Sequence, residues 1–138
     1  MPPGCTDHEV ENNYAGDISQ VDTEPDQDPA VFRQRRAAAY QAVYENLPYR
    51  PSSLPRGADM QLYRQLRFGR LLDLDMLDTR QFRSDQLAQC LGDCTARWDT
   101  SRTMLGTRQH EWLLNALSSS AARWKVPPTP SEGISGSG

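Results

Sequence analysis

Residues 5–17 read CTDHEVENNYAGD. Two carboxylates, Asp7 and Glu9, flank His8, and Glu11, Asn12, Asn13 and Tyr14 follow directly. Surface loops are polar, but they rarely gather so many metal-competent and proton-transfer groups. For Asn12 and Asn13 a plainer use is available, since Asn caps and turns loop backbone well. A second acidic stretch, DTEPDQD, places Asp22, Glu24, Asp26 and Asp28 at alternate positions, as a calcium loop would. It fails the EF-hand pattern: Gln27 stands where the Gly is required, and Arg33 where the bidentate Glu belongs. It reads as a solvated loop.

Such residues act only if elements hold them. Asp28-Pro29 is a helix start, with an N-cap acid and Pro at the first helical position. Phe32, Ala39, Val43 and Leu47 recur at helical spacing, flanked by Tyr40 and Tyr44, and predict a helix over 29–46 that stops before Pro48. The period then changes to two. Met60, Leu62, Leu66 and Phe68 alternate with polar residues, as do Leu72, Leu74 and Met76 with Asp73 and Asp75. Gly69-Arg70 between them suits a two-residue type II′ turn, so the spacing predicts an antiparallel hairpin of 60–68 with 71–77. Thr107 is positioned to cap a second helix to about residue 121, burying Trp112, Leu113, Ala116 and Leu117. RWKV can form a further short strand. The order is loop, helix, hairpin, loop, helix, strand, a piece of a layered α+β or α/β domain. One sheet face would be covered by helices and the other left open.

The totals narrow the field. The chain has 138 residues with a net charge of −3, and 37% of it is hydrophobic. Eight acids and no Lys or Arg lie in residues 1–32, against fifteen cations and ten acids afterwards. Those cations form no long run, which speaks against nucleic-acid binding. No stretch approaches the roughly 18 apolar residues of a membrane span, and the start lacks a cationic-then-apolar leader. As written, the chain is expected to stay in the cytoplasm. Two cysteines, Cys90 and Cys94, without His neighbours make a poor zinc site. Their spacing around Gly92 predicts Cα atoms within bridging range, below about 7 Å. Cys5 is read as a lone thiol.

Four stretches together resemble one family. DHEVENNYAGD, RRAAAYQAVYENLPYR, LYRQLRFGRLLDLDMLDTRQFRSDQ and RTMLGTRQHEWLLNAL are similar to the PhoD-like, or alkaline phosphatase D, metallophosphatases, in order and spacing from about residue 7 to 126. The resemblance implies a layered sandwich of two sheets with helices outside, hydrolysis of phosphate monoesters and diesters, bound iron and calcium, and usually export. On that reading residues 1–126 are a partial metallophosphatase domain and 127–138 a disordered Pro/Gly/Ser tail.

The resemblance also implies roles. Asp7 maps onto a metal ligand, and His8 onto a residue that orients phosphate or protonates the leaving group. Asn13 could touch phosphate. Arg80, at the end of the second strand, could pair with phosphate bidentately; a structural Arg–Asp fork with Asp78 is the commoner use of such a pair. In an exported parent Cys90 and Cys94 could form a disulfide. The sequence departs from the family at Thr6, where an acid is usual, and lacks the family's earlier and later ligand motifs. A fragment of the catalytic domain, inactive alone, is therefore expected. The alternative is a non-catalytic remnant or interaction module that keeps only part of the fold or binds a partner through its exposed sheet face; self-association through that uncovered face is a further expectation for the chain.

Overall fold

The computed structural model describes residues 9–19, 27–85 and 95–128, apart from the side chains of residues 96 and 97. Among these residues the architecture is mixed α/β: two α-helices and a three-stranded sheet. Helix α1 spans Pro29–Asn46, and its cap is the expected one, with Asp28 Oδ1 accepting from the Ala30 N–H at 2.8 Å. Strands β1 (Arg64–Phe68) and β2 (Leu72–Met76) form the antiparallel hairpin, Leu66 facing Leu74. Helix α2 spans Gly106–Ser119, and β3 (Trp124–Val126) lies parallel to β2. Among the described residues no helix is long and apolar enough to cross a membrane.

Three expectations are corrected in detail. The hairpin is shorter than 60–68 with 71–77. At one end side-chain amides take the place of strand partners. Gln81 Oε1 accepts from the Met60 N–H at 3.1 Å, and Gln81 Nε2 donates to the Met60 carbonyl at 2.9 Å. Gln109 does the same for the main chain of Asp78, at 2.8 and 2.7 Å. At the other end the ladder begins at Phe68–Leu72, and Gly69, with φ of 60°, turns the chain under a Leu71 N–H to Phe68 carbonyl bond.

Thr107 does not cap α2. Its helix starts one residue earlier, and Thr103 Oγ1 accepts the Gly106 N–H at 2.9 Å. Gly106 has φ of 67°, and a Cβ there would stand 2.9 Å from Phe82 Cβ, so the entry to α2 requires glycine.

The faces of the sheet are the third correction. Leu72, Leu74 and Met76 are only half-buried, while Asp73 and Asp75 are 3% and 1% exposed. Ser120, just past α2, donates to Asp73 Oδ2 at 2.6 Å, which places the end of that helix on the acidic face. Gln65 donates to Asp75 Oδ1 at 2.9 Å. Period two was correct, and Met60 and Leu62 are buried as an apolar set should be, but in β2 the polar set is the buried one.

The core lies instead around α1. Phe32, Tyr40 and Val43 of the helix pack with Val10, Tyr14, Met60 and Leu62. Tyr40 belongs to this core rather than flanking it, and Leu47, which ends the helix, is exposed. Burial, and then Tyr14 beside it, holds the Tyr40 phenol well above its usual range.

Candidate functional site

The loop at 9–19 is anchored by its aromatic. Tyr14 is buried, its ring 5.7 Å from Phe32 and its hydroxyl 2.8 Å from that of Tyr40. The chain then reverses, with Ala15 and Ile18 exchanging main-chain bonds at 3.1 and 2.9 Å. Asn13 precedes this turn with φ of 60°, a left-handed conformation that Asn tolerates better than most residues.

Arg36 ties the loop to α1. Its Nε donates to the Ala58 carbonyl at 2.8 Å, its Nη1 to the Gly16 carbonyl, and its Nη2 meets Asp17 Oδ1 at 2.9 Å. A planar guanidinium with five fixed donors suits such a junction. Glu11 is also engaged: its Oε1 accepts from Ser19 Oγ at 2.7 Å, and its Oε2 lies 3.4 Å from Arg35 Nη1.

Opposite the loop stands the turn after β2, Leu77–Gln81. Asp78 Oδ1 accepts the N–H groups of Arg80 and Gln81 at 2.9 and 3.0 Å, a local turn that Asp side chains favour. Asp78 Oδ2 accepts from Gln81 Nε2. Burial pushes the Asp78 carboxyl above its ordinary value, against these donors and against Arg36, which pull it down. Gln109 of α2 holds the main chain of Asp78 from outside.

This turn meets the loop. The Gly16 N–H donates to the Arg80 carbonyl at 2.8 Å. Arg80 is buried, and its Nη2 lies 3.4 Å from Asn13 Oδ1. Two of the residues singled out in the sequence, 67 positions apart, are thus brought together. Asp7 and His8 lie outside the described residues, as do Cys90, Cys94 and the tail from residue 129. His110 is exposed on α2.

The organisers Arg36, Gln81 and Gln109 were missed. Two of them left a signal: Arg36 interrupts the stripe Phe32–Tyr40–Val43, and Gln109 lies one turn before Trp112 and Leu113 and two before Ala116 on the covered side of α2. A polar residue on an apolar stripe is either paired or costly.

The metal expectation does not fit the described residues. No three His, Cys, Asp or Glu among them converge on one point. Three carboxylates of the loop and the turn are already engaged: Glu11 by Ser19 and Arg35, Asp17 by Arg33 and Arg36, Asp78 by amides. No step through a metal is derived from them.

The profile of the family described as PhoD-like phosphatase matches residues 4–130. Alkaline phosphatase D of Bacillus subtilis (strain 168) is 50% identical over 123 residues, covering 87% of this chain and 20% of that protein. A solved structure of PhoD aligns with a TM-score of 0.76 and 50% identity, covering 87% of this chain and 23% of that one. The chain therefore spans about a fifth of the length of the relative it matches.

Proposed function

Because the chain belongs to the PhoD-like phosphatase family, we propose that it carries part of the substrate site of a phosphate-ester hydrolase. The observation behind this reading is the buried Arg80 set against Asn13 across two segments. Arg80 offers a guanidinium whose fork matches two phosphate oxygens, and Asn13 orients it from the loop. In the same proposal Asp7 is a ligand to iron or calcium, and His8 protonates the leaving oxygen.

The binding half of this reading is testable on the chain itself. Inorganic phosphate, titrated while amide resonances are followed, is expected to shift Asn13 and Arg80. Arg80→Gln should weaken that binding by about tenfold or more, since a hydrogen bond to a charged group contributes about 1.5–3 kcal/mol. Phosphate that leaves both residues unmoved would refute the assignment.

We further propose that hydrolysis needs ligands beyond the described residues. Supplied with iron and calcium, the chain is expected to cleave a chromogenic phosphate ester no faster than a protein-free control. Reproducible turnover that a chelator abolishes would overturn this.

A second reading rests on a different observation. The sheet face opposite Asp73 and Asp75 is apolar and only half covered among the described residues, with Phe68, Trp124 and Val126 exposed. A layered sandwich would set a second layer there. In the isolated chain we propose that a second copy takes that place.

A further inference from the structure

Five consecutive residues of β1, Arg64 to Phe68, line one groove of about 630 Å³, together with Tyr49 and Arg50. Successive side chains of a strand point to opposite faces. A groove touched by all five therefore runs along the edge of the strand, not over a face. The strand order is β1-β2-β3, so this edge points away from β2. Among the described residues no main-chain hydrogen bond joins it to another segment. Open N–H and C=O groups in a row are a template for one more strand.

Charge sets what that strand would carry. Arg50, Arg64 and Arg67 border the groove, and among the described residues no Asp or Glu does. Arg64 Nη1 donates to the Leu62 carbonyl at 2.9 Å, and its guanidinium stands 5.6 Å from the centre of the Tyr49 ring. Arg67 Nε donates to Gln65 Oε1 at 2.7 Å. None of the three meets a carboxylate among the described residues, whereas Arg33, Arg35 and Arg36 of α1 each do.

We propose that this groove binds an acidic peptide segment in extended conformation, added as a strand to the β1 edge. Main-chain bonds to β1 would supply affinity, and the three arginines would select acidic side chains. Phe68, exposed at the end of the strand, offers ring surface to apolar residues between the acids. Five residues of strand span roughly 17 Å, so the groove matches a peptide of about five or six residues.

The test uses the whole chain and three synthetic hexapeptides, with amide resonances as the readout. The first alternates Glu with Val, the second has Lys for every Glu, and the third keeps the Glu residues but has Pro for a central Val. The first is expected to bind and to shift the amides of residues 64–68. The Lys peptide should not bind. The Pro peptide, equal in charge, should bind about tenfold more weakly, because Pro lacks a donor for the ladder. Arg50→Ala and Arg67→Ala, both at exposed positions, should each weaken the first peptide about threefold and flatten its salt dependence. Arg80→Gln should leave it unchanged, which separates this groove from the phosphate site. Equal binding of the Glu and Pro peptides would overturn strand addition. So would AMP shifting the same amides while the Glu peptide shifts none, since the groove would then be a small-anion site.

Discussion

Burial pushes the Asp78 carboxyl above the ordinary 3.8, so this acid runs against the usual trend of carboxylates. Between its ordinary and its raised value, the folded chain keeps a proton that the unfolded chain has lost. Stability from this residue is full below the ordinary value and declines as pH rises through the raised one. Asp78→Asn removes the titration but introduces a conflict. Gln81 Nε2 donates both to Asp78 Oδ2 and to the Met60 carbonyl, so its orientation is fixed. The new amide nitrogen would confront that donor. A deficit of about 1–3 kcal/mol is expected from the unmet group. Urea unfolding at a series of pH values should show the gap between variant and parent largest in acid and narrowing as pH rises. A gap that widened instead would mean that the buried carboxyl is held ionised.

The elements were legible where local chemistry decides them and illegible where tertiary contacts do. Asp28-Pro29 and Pro48 bracket α1, and the helix runs Pro29–Asn46. Alternation over residues 60–76 announces the hairpin, and β3 falls within RWKV. The ends of the hairpin could not be read, because Gln81 and Gln109 come from elsewhere in the chain to occupy Met60 and Asp78. The inward face was misread for a related reason: only the packing of α2 reveals that Asp73 lies under Ser120. The same holds for the α2 cap, where Thr107 fits the local pattern but Thr103 supplies the oxygen. This makes a discriminating test. Thr103→Ala should lower stability by about 1 kcal/mol, typical of one lost hydrogen bond, here to the first N–H of the helix. Thr107→Ala, on an exposed side chain, should stay within about 0.5 kcal/mol of the parent. Matched thermal melts would decide, and the reverse order would restore Thr107 as the cap.

At the scale of the molecule, the candidate site and the open sheet face depend on the same hairpin in opposite ways. The turn after β2 presents Arg80 to Asn13, a meeting across 67 positions that the sequence offered only as two separate residues. The face of the hairpin away from α2 carries Leu66, Leu72, Leu74 and Met76, half-buried, bordered by Phe68, 47% exposed, and Trp124, 60% exposed. Leu72 pairs with both Phe68 and Trp124, so these rings flank it on one surface. If a second copy covers that surface, sedimentation should report a dimer that grows with concentration and changes little with salt, since few charges lie on it. Trp124 fluorescence should shift to the blue as the ring leaves water. Phe68→Ser together with Trp124→Ser should weaken the dimer at least about a hundredfold. Each substitution counts twice in a two-fold interface, and burying one large apolar side chain contributes about 1.5–3 kcal/mol. The helical signal of the variant should be unchanged, because neither ring belongs to the core around α1. A chain that stays monomeric at every concentration, with Trp124 emission fixed in the red, would remove the second reading and leave the phosphate-site reading standing.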